Sequence, residues 1–230
     1  MYRLLLVLSM LSPAVMAQQT ATFQGAVEKA VGYQYLVFLP EGYATGTQAW
    51  PMVLFLHGAG ERGDSLDLVT VHGPPKLAKA GHSFPFILIV PQCPAGELWD
   101  ADALHALVDE VVRTYRVDET RLYVTGLSMG GYGTWDLAMR YPDRFAAIAP
   151  ICGWGQRLLA CRIKDVPVWT FHGAKDQVVL IDRTEELVNT LRQCDGDVQF
   201  TVYPEANHDS WTLTYENPQL YDWMLRQQRR

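Results

Sequence analysis

The sequence contains no apolar run long enough for a membrane-spanning helix. Residues 4–11 form a short apolar core near the N-terminus, well below the roughly 20 residues a bilayer requires. Basic clusters are missing as well. Nineteen lysines and arginines stand against 25 aspartates and glutamates, a net charge of −6, which argues against nucleic acid as a partner. Internal repeats, low-complexity tracts and charge runs are absent, so neither a solenoid nor a disordered chain is in view. There is no H-E-x-x-H motif and no C-x-x-C pair, and no Walker lysine follows the glycine-rich loops. No metal site and no phosphate cradle are therefore expected.

What is present suits one large domain: 230 residues with a mean hydropathy near zero can bury a substantial core. Residues 1–17 stand apart. Arg3 gives a positive start, residues 4–11 an apolar core, Pro13 a break, and Val15-Met16-Ala17 the small residues a signal peptidase reads. The expectation is a signal peptide over residues 1–17, cleaved before Gln18, and a single catalytic domain over residues 18–230, secreted or periplasmic. The residue directly after the cleavage point, Gln18, is not a cysteine, which speaks against a lipid anchor, and no stable membrane insertion is expected.

Strand-like stretches are read at residues 22–27, 34–39, 52–56, 86–90, 122–125, 145–151, 166–171 and 198–203. Helical patterns are read at residues 75–81, 101–115, 182–192 and 218–229, with another after residue 128 and an irregular loop over residues 152–165. Residues 52–56 are continuously apolar, the pattern of a strand buried on both faces of a mostly parallel sheet. Strand and helix alternate from residue 50 onward, which predicts an α/β doubly wound sheet with helices on both faces and functional loops at the C-terminal ends of its strands. In that layout Cys161 and Cys194 fall near the start of one strand, and Cys93 and Cys152 near the opposite ends of two others. A Cys161–Cys194 bridge with Cys93 and Cys152 free is the expected arrangement in an oxidising compartment.

The centre of the chain is Gly126-Leu127-Ser128-Met129-Gly130, which fits G-x-S-x-G between a buried strand and a helix. A strand turning at once into a helix strains the middle residue and crowds its flanks. Glycines two before and two after relieve that crowding, and the serine hydroxyl stands at the tip over a helix N-terminus. A serine hydroxyl is a poor nucleophile and needs a base, which needs an orienting group. Asp176 and His208 follow later strands in the order Ser, Asp, His, so all three meet on one face of the sheet. Among the other histidines, His57 and His172 end strands before glycine, where support of the backbone is the more natural role. His72 and His82 lie in an irregular region, and His105 lies within a helix. Asp182 sits a helical turn too late for the acid, and Asp209 adjoins the base. An oxyanion would take the N–H of Met129 and that of Ala59, with Gly60 the alternative, from the loop His57-Gly-Ala-Gly-Glu-Arg-Gly63.

These motifs, with Gly173-Ala-Lys-Asp176 and Asn207-His-Asp-Ser-Trp211, resemble the α/β-hydrolase superfamily. More closely they are similar to small secreted esterases often labelled predicted peptidases, a branch near the polyhydroxybutyrate-depolymerase-like and feruloyl or acetyl-xylan esterases. The resemblance covers nearly all of the mature chain. It implies a serine carboxylesterase acting without a cofactor on small or polymer-linked esters with short to medium or aromatic acyl groups. A prolyl-oligopeptidase-like peptidase or amidase is the alternative, and the oligomeric state stays open. No lid domain is expected, because the connection near Ile151 is too short to hold one. Trp99, Trp154 and Trp211 are read as cleft walls or, equally, as packing. Glu61 and Arg62 either add polarity there or pair with each other or with solvent.

Overall fold

The computed structural model describes residues 20–25 and 29–229. Val31–Arg230 forms one compact unit. The expected signal peptide lies outside the described residues. Among the described residues one sheet holds seven strands: β1 (Gln34–Phe38), β2 (Trp50–Leu56), β3 (Ile87–Gln92), β4 (Val117–Leu127), β5 (Ala147–Ile151), β6 (Val168–Gly173) and β7 (Val198–Tyr203). Their order is β1-β3-β2-β4-β5-β6-β7; β1 runs antiparallel to β3, and the other neighbours are parallel.

The unbroken apolar run of β2 is explained by what covers it. Met52, Leu54 and Leu56 point to one face, where they join Leu104 and Val108 of α2 (Ala101–Thr114), Trp135 of α3 (Met129–Arg140) and Leu187 of α4 (Asp182–Gln193). Val53 and Phe55 point to the other face, beside α1 (Gly73–Lys79), with Tyr215 of α5 (Trp211–Tyr215) and Leu220 and Met224 of α6 (Pro218–Arg226). Residues with alternate side chains on two dry faces have no polar positions to spare. Each fully buried apolar side chain of this size contributes about 1.5–3 kcal/mol. At the edge of the first layer, Asp100 caps α2 by accepting the N–H of Ala103 at 2.9 Å.

From β2 the chain crosses to β3 on one side and later to β4 on the other. The order of the sheet therefore reverses at β2, and a crevice opens above its C-terminal end. The sharp turns after β2 and β4 face each other there.

Several local expectations are corrected. No strand forms over residues 22–25; these side chains are exposed, Phe23 at 93%, and nothing buries the face a strand would need to hide. The connection over residues 152–165 is not wholly irregular, because Arg157–Ile163 winds into a 3-10 helix whose Ala160 and Ile163 enter the core. The short helix α5 follows the last strand, and α6 stops at Arg226. Cys161 and Cys194 are bridged, with Cα atoms 5.9 Å apart, while Cys93 and Cys152 are free and buried.

Candidate active site

Ser128 sits between the last residue of β4 and the first of α3 with φ 53° and ψ −115°, a left-handed conformation that non-glycine residues avoid. The flanking glycines are required by contact. A Cβ on Gly126 would lie 2.4 Å from Gly130 O, and one on Gly130 would lie 1.9 Å from Leu56 O. The turn is pinned by Ser128 N–H donating to Ile151 O at 2.9 Å and Tyr132 N–H donating to Ser128 O at 3.0 Å. The hydroxyl is left standing over the start of α3, with its favourable field for negative charge.

His208 and Asp176 come to this serine from loops after β7 and β6. Ser128 Oγ lies 2.9 Å from His208 Nε2, and His208 Nδ1 lies 2.7 Å from Asp176 Oδ2. The other carboxylate oxygen, Oδ1, accepts the N–H groups of Val178 at 2.9 Å and Val179 at 3.0 Å. Burial pushes the Asp176 carboxyl up, but the bonds from His208 and from these two amides outweigh it and hold the group below its ordinary range. Trp211 stands edge-on to the His208 ring with centroids 5.3 Å apart. Ala59 opens a 3-10 turn, Ala59–Glu61, and Met129 opens α3, so both N–H groups are first-turn amides with no acceptor of their own helix. Both residues line the same cleft as Ser128.

His57 and Trp99 hold the turn after β2. The His57 Nδ1–H donates to Gly58 O at 2.6 Å, and Nε2 accepts from Cys93 N–H at 3.0 Å. Burial pushes this imidazole down to about 4, so it is neutral near pH 7. Trp99 Nε1–H donates to His57 O at 3.1 Å and the residue is 3% exposed. Trp99 is therefore corrected from cleft wall to core, because its indole spends its only donor inside the fold. Trp154 does line the cleft, stacked on Tyr132 with centroids 5.1 Å apart and planes 20° from parallel. Glu61 and Arg62 do not pair with each other. Arg62 donates to Ala59 O at 3.0 Å and Glu97 O at 3.1 Å, while Glu61 faces His72 at 3.8 Å and His57 at 3.9 Å.

The cleft has a volume of about 620 Å³, with Leu98, Val178 and Leu180 as apolar walls and Arg62 and Arg183 at its rim. Reading the sequence did not single out Tyr132, Leu98 or the wall over residues 178–180. Their signal is only that they sit one to four residues from positions the sequence did single out: Ser128, Trp99 and Asp176. Cys152, Asp176 and His208 bring ligand-type atoms within 4.8 Å of one another. That trio does not suit a metal: the carboxylate and imidazole are bonded to each other, and burial pushes the Cys152 thiol up to about 12, so it keeps its proton.

Residues 96–217, more than half of the chain, match the dienelactone hydrolase family. The chain belongs to the dienelactone hydrolase family. It is 24% identical over 205 residues to a bifunctional acetylxylan esterase/xylanase of Neocallimastix patriciarum, covering 85% of this chain and 29% of that one. It is likewise 24% identical over 184 residues to a probable feruloyl esterase C of Aspergillus terreus, covering 76% of this chain and 66% of the relative. Among solved structures, a thermostable esterase superposes with a TM-score of 0.74 at 34% identity, covering 85% of this chain and 59% of that one. In all three comparisons the chain spans less than two thirds of the relative's own length. The fold is that of an α/β-hydrolase, as the motifs led one to expect. No helix among the described residues is long and apolar enough to cross a membrane.

Proposed function

We propose that the protein is a serine carboxylesterase acting through an acyl-enzyme on short to medium or aromatic acyl esters, small or polymer-linked. The observation that carries this reading is the run of hydrogen bonds from Ser128 Oγ, which lines the cleft, through His208 to Asp176. As Ser128 Oγ attacks the ester carbonyl carbon, His208 Nε2 takes its proton, and Asp176 holds the ring and balances the imidazolium. The carbonyl oxygen becomes an oxyanion, met by the N–H groups of Met129 and Ala59. Collapse expels the alcohol, which leaves with the proton from His208. Water then attacks the acyl group with His208 again as base, releasing the acid and restoring Ser128. The named relatives, an acetylxylan esterase and a feruloyl esterase, support esters of plant-wall type. Trp154 on its Tyr132 backing offers a flat wall for an aromatic acyl group or a sugar. In this reading the chain is exported and residues 1–17 are removed.

The test compares hydrolysis of chromogenic acetyl and butyryl esters with an amide of matched acyl group, using Ser128→Ala as control. Ester turnover, negligible amide turnover and a loss of at least about 10⁴-fold in the variant are expected. Amide turnover equal to ester turnover would make the protein a peptidase or amidase. Absence of both would remove the esterase reading. N-terminal sequencing of the exported protein should start at Gln18.

A further inference from the structure

The mechanism above uses one histidine on Asp176, yet the carboxylate has two. His172, the fifth residue of β6, is fully buried, and its Nε2 lies 3.1 Å from Asp176 Oδ2, the oxygen that His208 also holds. The same Nε2 lies 2.8 Å from Val179 O, and the opposite nitrogen, Nδ1, lies 2.9 Å from Thr184 Oγ1.

The hydrogen positions follow from counting. Nε2 faces two oxygens that can only accept, so it must carry a proton. Thr184 has one proton to offer, toward either His172 Nδ1 or Gly153 O at 3.0 Å. Burial pushes the His172 imidazole down, against the bonds to Val179 and Asp176 that pull it up, so the ring is neutral near pH 7. The Nε2–H is shared between Val179 O and Asp176 Oδ2, whichever of Nδ1 and Gly153 O receives the Thr184 proton. A carboxylate oxygen receiving a second donor is a weaker base toward the first. Meanwhile residues 176–179 are wrapped around this pair: their amides bind Oδ1, and the Val179 carbonyl binds the ring. Val178 of that segment and Leu180 just beyond it form a cleft wall.

We propose that His172 is a positioning residue for ester hydrolysis: through Asp176 it sets how firmly His208 holds its proton, and through Val179 it fixes the cleft wall to the acid. This rests on the Ser128–His208–Asp176 reading. The other groups facing His208 do not duplicate the role. Ser128 is its reaction partner, Trp211 meets it edge-on, and Cys152, from the end of β5, keeps its proton. Asp209, its chain neighbour, accepts from Thr212 N–H and Oγ1–H at 3.0 Å. Glu61 and His72 meet each other beyond Trp211, and Arg62, Arg183 and Glu186 line the cleft.

The experiment measures kcat and KM against pH for acetyl and butyryl esters in His172→Phe, which keeps a ring but no donor, and His172→Gln, whose amide N–H reaches the position of Nε2. In the Phe variant the acid limb of kcat/KM should move up by about half to one pH unit. Its KM for the butyryl ester should rise more than for the acetyl ester, and Gln should return the limb toward the parent. Limbs unchanged in both variants, or equal effects of Phe and Gln, would make the residue mere packing and overturn the proposal. Should neither variant fold, ¹⁵N NMR of the unmodified protein decides: a neutral ring protonated on Nε2 supports the proposal, whereas the other tautomer or an imidazolium at pH 7 overturns it. If Ser128→Ala remains active, the triad reading fails and this proposal falls with it, a result distinct from an unmoved limb over an inert Ser128→Ala.

Discussion

Gly130→Ala tests the contact on which the site is built. The added Cβ would lie 1.9 Å from Leu56 O, 2.5 Å from Leu56 C and 2.8 Å from His57 O. All three atoms are backbone, so no side chain can rotate away. The first turn of α3 and the end of β2 must part by at least about 1.5 Å to reach ordinary contact. Overpacking at sites where a side chain can yield costs about 1–3 kcal/mol, and two opposed backbones place this case at about 3 kcal/mol or above. For a chain of this size that lowers Tm by roughly 6–12 °C. The same two segments present the amides of Met129 and Ala59, and a displacement of about 1 Å at a reacting centre costs roughly 100-fold in rate. Calorimetry and kcat/KM for a butyryl ester read both effects, with Gly32→Ala as control because nothing lies within 4 Å of a Cβ there. A Gly130→Ala protein with the parent's Tm and rate would refute the claim that glycine is needed for close approach.

Two further outcomes are expected. His57 is depressed in the folded chain to about 4 from an ordinary 6.5, so between these values the unfolded state binds a proton that the folded state refuses. Its contribution is complete above pH 6.5 and lost as pH falls toward 4, by up to about 3 kcal/mol. Urea unfolding at pH 7 and pH 4 should therefore show a smaller acid loss in His57→Asn than in the parent, and parallel losses would contradict the assignment. Cys161 and Cys194 close a loop of sequence separation 33, so Cys161→Ser with Cys194→Ser should lose about 3–4 kcal/mol under non-reducing conditions, measured by the same unfolding assay.

How far the fold was legible depends on where the physical cause lies along the chain. β7 was read at its actual ends, since its alternating apolar residues are bounded by turn residues on both sides. The turn around Ser128 was legible because the strained residue and both glycines it requires fall within five consecutive positions, although the carbonyl that crowds Gly130, Leu56 O, lies far back in the chain. The meeting of Ser128, Asp176 and His208 needed only strand order, which alternation supplies. Trp99 was misplaced because its burial depends on His57 O, 42 residues away, which closes over its N–H. The five-residue α5 went unseen because it is too short to show a period. His172 was rightly placed at the end of a strand, yet its contact with Asp176 arises from a loop that curls back, and no local pattern announces that.

The left-handed backbone of Ser128 has a bearing on how such a chain evolves. A conformation of this kind costs about 1–3 kcal/mol, and glycine adopts it freely. Under the proposed mechanism, stability and turnover therefore pull position 128 in opposite directions. Screening libraries for heat resistance alone would reward glycine there and collect inert survivors.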